Sequence, residues 1–470
     1  MHGDFSRRSF RHDKHFSAVL SQQGRVSLDA DANEQTAIGQ HLLRALARDL
    51  IGPHGGPEQQ LAFEIARIAD DAATRITDLE IGYGRYYVDG ILIEHEEFGI
   101  DGLPVSADAA GVAQPATYFG QPSALFDDDD ATDRLTPPFL VYLRVWERHI
   151  SAIEDPGIRE IALGRAGPDT ATRAQVIWQV LTTNDWGEFD APAVNDDLDA
   201  ARDYVENGWA QWIDAWQSPQ RGRLTARGNT GAGVETLCNL SPESRYRGPE
   251  NQLYRVEIHD PGVAGDGATF KWSRDNGSVT ARITHLAGTE VVVDSLGRDV
   301  RRRIDIDDWV EVVDDRSTLH RRLDPPAQLE PLHKVEDVDL FDHRLTLDGV
   351  LSSPIGQMPH LHPLLRRWDG RADRGVAEIQ EDIWLELEDG VQIRFSAGPD
   401  GSPQRYRTGD YWLIPARVKT GDVIWPQKAG GEPYSLPPEG IEEHFAPLAL
   451  VMAVNMTHDL RKKFPEGAGY

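Results

Sequence analysis

Ile383-Trp-Leu-Glu-Leu-Glu-Asp-Gly-Val-Gln-Ile-Arg-Phe395 is the stretch whose reading decides the fold class. Ile383, Leu385 and Leu387 lead into Asp389-Gly390, and Val391, Ile393 and Phe395 lead out. A period of two puts alternate side chains on opposite faces of a sheet. Asp-Gly tolerates the φ > 0 that a two-residue hairpin turn demands. Two matched apolar faces around such a turn predict a β-hairpin. The texture repeats outward. Tyr83 to Glu94 reads as two short strands around Asp89-Gly90, and Phe139–Glu147 and Arg173–Thr182 as longer ones. Tyr254, Val256 and Ile258 alternate with Arg255, Glu257 and His259. Asn276-Gly277 predicts a further hairpin turn; Val291–Val293 and Trp309–Val313 add strands, and Leu332–Leu347 adds two, bent near Asp342-His343. Short strands at this spacing predict a small barrel or sandwich. Tyr411–Arg417 and Leu448–Val454 complete a mainly β chain: several small β-sandwich or β-barrel modules joined by Gly/Pro-rich loops.

Two helices interrupt this pattern. Residues 34–50 carry Leu42, Leu46 and Leu50 on one stripe, and residues 195–217 carry Trp209, Trp212 and Trp216 on another. Packing on the parent domain is the first expectation for the leucine stripe, with docking on another subunit as the alternative. The tryptophan stripe is expected to be a core or subunit-contact stripe, with a ligand site as the alternative. The expected organisation is an N-terminal segment and helix (1–55), a β-rich domain (56–185) with a loop at 103–138, a helix and linker insertion (186–250), a small barrel or sandwich (251–350), and a C-terminal β-rich segment (351–470).

The 470 residues carry a net charge of −29, so the average surface repels phosphate backbones and nucleic acid is not the expected partner. Arg supplies 41 of the 48 basic residues. Both a GC-rich genome and a high-salt cytoplasm produce that bias. One cysteine, Cys238, leaves no intramolecular disulfide and no Cys-based metal site. No apolar run approaches the ~20 residues a membrane helix needs. Without an apolar leader at the N-terminus, a cytoplasmic protein is expected.

No motif for catalysis appears. G-x-S-x-G, H-E-x-x-H and a P-loop are missing. Asp29, Asp31 and Asn33 imitate the start of an EF-hand loop, but Glu34 and Gln40 stand where it requires Gly and Glu. A charge cluster of Arg25, Asp29 and Asp31 beside a helix cap at Asp31 or Asn33 is expected instead. His360 and His362 are two imidazoles where zinc needs three or four ligands, and Pro359 and Pro363 make them loop histidines. Arg301–Arg303 reads as an intramolecular ion-pair strip, and Asp127–Asp130 as a solvated loop. No cofactor, no metal and no catalytic residue is expected.

Several long motifs carry a resemblance. They include Gly3-Asp-Phe-Ser-Arg7, Gln22-Gln-Gly-Arg-Val-Ser-Leu-Asp-Ala-Asp-Ala-Asn-Glu-Gln35, Glu154-Asp-Pro-Gly-Ile-Arg-Glu-Ile-Ala-Leu-Gly164 and Phe270-Lys-Trp-Ser-Arg-Asp-Asn-Gly-Ser278. Gly409-Asp-Tyr-Trp-Leu-Ile-Pro-Ala-Arg417 and Pro438-Glu-Gly-Ile-Glu-Glu-His-Phe-Ala-Pro447 close the set. In order and content the chain resembles uncharacterised bacterial and archaeal proteins encoded with phage-tail-like or contractile injection system components. That resemblance implies a structural part of such a particle, in the baseplate or another peripheral position, with baseplate, tube or sheath proteins as partners. The particle would assemble in the cytoplasm and be released later, and a homo-oligomer stays open. The alternative is a carbohydrate-binding or glycan-processing β-protein, if Trp384, Tyr411 and Trp412 are exposed for stacking on sugars.

The candidate assembly residues are Phe5, Arg7, Arg8, Phe10, Phe16, Arg25, Asp29 and Asp31. They form a basic, aromatic tip on an acidic chain, and local complementarity steers encounter. The anchors from Phe5 to Leu20 are therefore expected to be buried, on the parent domain or against a neighbour.

Overall fold

The computed structural model describes residues 1–464 except 71, 73, 100–102, 104, 106–115, 125–134, 165–168, 194–196, 218–220, 230–244, 298, 300, 320–329 and 373. Cys238 and the Asp127–Asp130 run lie outside the described residues. Those described hold 27 strands and three α-helices, so the chain is mainly β, built as several sheet modules.

The modules interleave along the chain. In the first, strands Phe139–Ile150 and Arg173–Thr183 pair over their whole length, and His444–Ala453 and Met456–Asp459 extend the sheet from the far end of the sequence. The second packs two sheets on one core. Its five-stranded sheet runs Ala377–Glu378, Thr269–Ser273, Gln252–Ile258, Tyr411–Arg417, Asp422–Val423, and its three-stranded sheet runs Leu385–Glu386, Val391–Ser396, Arg223–Gly228. The third is a closed six-stranded barrel of Thr280–Ala287, Glu290–Val293, Arg344–Leu347, His333–Asp339, Trp309–Val313 and Leu364–Trp368. Against the barrel or sandwich expected over 251–350, the closed barrel starts at 280 and takes its closing strand from 364–368.

Two turns match their sequence reading. Asp89-Gly90 and Asp389-Gly390 both have φ > 0 and join paired strands. Asn276-Gly277 also has φ of 54° and 62°, yet it corrects the hairpin expectation. The strands it joins pair with other partners, one in the five-stranded sheet and one in the barrel, so the turn is a bridge between modules. The 218–250 stretch, expected as loop, contains Arg223–Gly228, which pairs with Val391–Ser396. Only Leu224 and Ala226 face the core from it, too few to signal a strand by alternation.

The helices are α1 (Asp29–Ile51), α2 (Leu198–Gln217) and the short α3 (Asp315–Leu319). In α2 the tryptophan stripe packs as expected: Trp212 is buried with Leu140, Leu450 and Leu460, and Trp216 stacks on Tyr142 at 4.2 Å. The leucine stripe of α1 corrects the first expectation. Leu42, Leu43, Leu46 and Leu50 are all more than half exposed. The helix meets the body with a different face, where Arg44 pairs with Glu147 at 2.8 Å and Arg48 pairs with Asp89 at 3.4 Å, while Ile38, one turn before Leu42, is buried at the head of the stripe. The backbone of Arg44 rests on Gly90, where a Cβ would lie 2.2 Å from the Arg44 carbonyl oxygen. That polar docking leaves the leucines outward.

Candidate functional site: the N-terminal arm and the cleft it enters

The modules surround a cleft of about 3180 Å³, flanked by α1. At its floor the alternation of Gln252–Ile258 has two consequences. Tyr254, Val256 and Ile258 enter the sandwich core, so Arg255 and Glu257 must face the barrel. Lys271 on the neighbouring strand bridges the gap, with Nζ 2.7 Å from Glu311 Oε1 on the barrel and 3.6 Å from Glu257 Oε1. Trp368 Nε1 donates to the other Glu311 oxygen at 2.9 Å, while the Lys271 ammonium lies over the Trp368 ring. Arg255 Nε donates to Glu257 Oε2 at 2.6 Å, and its guanidinium stacks on Tyr411, 3.6 Å from the ring centre.

The first residues of the chain close this cluster. His2 Nε2 lies 3.0 Å from Glu257 Oε2. The Met1 amine donates to the Tyr411 hydroxyl at 2.9 Å, and Asn276 Nδ2 donates to the Gly3 carbonyl at 2.9 Å. The left-handed turn at Asn276 is what aims that amide at the arm. Burial raises the Glu257 carboxyl, but Arg255, Lys271 and His2 outweigh it and hold the group well below the ordinary carboxylate range. Burial, helped by Arg255 and Arg366, pushes His2 well below the ordinary imidazole range. A neutral His2 beside an ionised Glu257 donates its Nε2 proton. Glu257 Oε2 and both oxygens of Glu311 accept from donors, and Glu257 Oε1 faces the Lys271 ammonium at 3.6 Å as an ion pair. Buried charges paired in this way hold a geometry.

The predicted assembly residues split into two groups. Phe5 is half-buried, its ring edge-on to His149 at 6.2 Å. Burial first, then the N-terminus and Arg366, Arg255 and Arg148 push His149 down to about 3. Arg7 is half-buried, Arg8 pairs with Glu439, and Phe10 tilts against His41 on α1 at 5.6 Å. Beyond residue 10 the expectation of burial fails: Phe16 is 58% exposed and Leu20 is 83% exposed. The Arg25–Asp29–Asp31 cluster does not form. Arg25 is exposed with no ion pair among the described residues, and the Asp29 carboxylate accepts the Ser6 N–H at 2.9 Å instead. Asp31 lies in the first turn of α1, and the N-cap is Leu28 with no side-chain bond, because the helix starts earlier than expected.

The other candidates resolve similarly. Asp29–Gln40 is helix, so the EF-hand-like spacing is not a loop. His362 Nδ1 is 2.8 Å from Asp315 Oδ2, and His360 is exposed. Arg301, Arg302 and Arg303 pair with Glu250, Asp4 and Asp305 in turn. Trp412 and Tyr411 are buried, and Trp384 is half-buried with the guanidinium groups of Arg227 and Arg394 3.7 and 5.0 Å from its ring centre. Tyr411 and Trp412 offer no open face to a sugar. Glu257, Lys271, Glu311 and Asn276 were missed as site residues. The available signal was the polar side of Tyr254–His259: Arg255, Glu257 and His259 alternate with residues that enter the core.

The chain belongs to a family of unknown function, DUF6519, whose signature covers residues 1–231 and 217–459. No curated protein and no solved structure matches it.

Proposed function

We propose that this chain is a non-catalytic structural subunit of a phage-tail-like contractile injection particle, in the baseplate or another peripheral position. The exposed side of α1 and the arm before it form its assembly face. One observation carries the reading: a well-formed 23-residue helix presents Leu42, Leu43, Leu46 and Leu50 to solvent while a different face holds it to the body. Isolated exposed leucines are ordinary, but a contiguous stripe marks an interaction site. The commitment of the buried carboxylates to fixed donors supports a structural role for the cleft floor. The particle type rests on the motif resemblance.

The test is expression of tagged protein in its own host, followed by pull-down and negative-stain imaging. The wild type should co-purify with tube, sheath or baseplate proteins. The double substitution Phe16→Ser, Leu20→Ser should fold normally and lose that association. Incorporation of this variant at wild-type level would overturn the assembly face, and recovery of the wild type with no particle protein would overturn the particle.

A further inference from the structure

We infer that the exposed side of α1, together with the arm before it, takes a second copy of this chain. The inference rests on the reading of this face as an assembly face and names its partner. Among the described residues 24 large apolar side chains are exposed, and eight of them fall between residues 16 and 50, four on the arm and four on α1. Such a density in so short a segment is a patch, not scatter. Leu42, Leu46 and Leu50 recur once per turn, with Leu43 beside them. At 1.5 Å per residue the stripe runs about 12 Å along the helix. A narrow leucine stripe is complementary to another leucine stripe, and a two-fold axis presents the same patch on both partners.

Charge argues for the same occupant. Residues 1–28 carry five basic and two acidic side chains, a net of +3, which leaves −32 on residues 29–470. Two copies repel at long range. Arg8 is held by Glu439 and Arg11 by Asp13. Lys14 and Arg25 are exposed with no ion pair among the described residues, so the arm is where local charge favours approach, and the acidic body it fits is present on every other copy of the chain. The arm is also held in place. The Val19 N–H donates to Gln35 Oε1 at 2.7 Å, and Phe10 packs on His41, so residues 11–18 lie tethered at both ends along α1. A tethered arm loses less entropy on docking than a free one. A stable interface buries about 800 Å² per partner, more than four leucines supply, so the arm belongs to it.

Sedimentation velocity of the purified full chain tests this. The wild type should form a concentration-dependent dimer. Leu42→Glu with Leu46→Glu should weaken it at least about tenfold, with unchanged melting temperature. Arg11→Glu, Lys14→Glu and Arg25→Glu together should also weaken it, and their difference from wild type should shrink as salt screens the arm. Ile161→Glu, on an exposed residue far along the chain, should behave as wild type. A monomeric wild type at all concentrations, or a leucine variant that associates normally, overturns the inference. A monomer that still co-purifies with particle proteins leaves the assembly reading standing. A dimer that never enters a particle does the reverse.

Discussion

Trp212 of α2 is 2% exposed and Leu46 of α1 is 56% exposed, although each sits on an apolar stripe with helical spacing. The difference lies in what each helix finds to pack on. Leu140, Leu450 and Leu460 meet the indole rings of α2, whereas α1 is anchored by Arg44 and Arg48 on another face. Periodicity identifies a face but not its partner. The first 28 residues repeat the lesson: residues 1–10 engage Glu257, Glu439 and Asn276 in the cleft, and residues 11–28 are mostly exposed and reach α1 through the Val19 N–H bond to Gln35.

The largest effect should come from emptying the covered stripe. Trp212→Ala removes a buried ring and its Nε1 bond to the Trp186 carbonyl, and should cost ~3–5 kcal/mol. Urea unfolding would measure it. A loss below ~1 kcal/mol would mean that α2 is no better packed than α1. Next comes the anchor of the arm. Glu257→Gln leaves Arg255 short of its carboxylate, while Lys271 keeps Glu311. Breaking one side of a buried charge pair costs about 3 kcal/mol. The first five residues should then become accessible to limited proteolysis, and an unchanged digest would show that Glu257 does not hold them.

A third test uses the bridge between modules. Gly277→Val places a β-branched residue at φ of 62° with its Cβ 2.7 Å from His2 Cδ2. A loss of ~1–3 kcal/mol in the melt is expected. An unaffected melt would mean that neither the turn nor the arm is rigid there.

The pH dependence concerns the same contrast between held and free segments. Burial depresses His54 to about 4 and His149 to about 3, against 6.5 for a free imidazole. A depressed histidine stays neutral in the folded chain, so the unfolded chain binds more protons. Stability is therefore complete above about 6.5 and falls below it, by up to about 1.4 kcal/mol per pH unit for each ring, until the folded values are reached. Denaturant unfolding at pH 7 and pH 5 checks the sign. His54→Gln should flatten the slope. A chain more stable at pH 5 than at pH 7 would contradict the burial of these rings.

Where local chemistry decides, the sequence reads well. Asp389-Gly390 and Asp89-Gly90 carry their turn geometry and their strand registers within a dozen residues. Long-range pairing does not read so well. Nothing near Phe139 announces that His444–Ala453 will lie beside it, and nothing near Asn276 announces the Gly3 carbonyl. The polar face of Arg255 and Glu257 was visible, but its meaning depends on Lys271, Glu311 and His2 arriving from three other segments.

The smallest expected effect is the most discriminating. Leu46→Ser removes an apolar side chain that has no cover in the folded chain, so the transfer free energy lost from a packed leucine does not apply. The exposed position also places no donor or acceptor out of reach of water. Stability should therefore stay within ~0.5 kcal/mol of wild type, measured at a concentration where the chain is monomeric. A loss of ~2 kcal/mol under those conditions would mean that the stripe is covered within the monomer. It would erase the contrast between α1 and α2 and remove the basis of the assembly face. An unchanged monomer with weakened self-association puts the value of Leu46 where the structure leaves room for it, between chains.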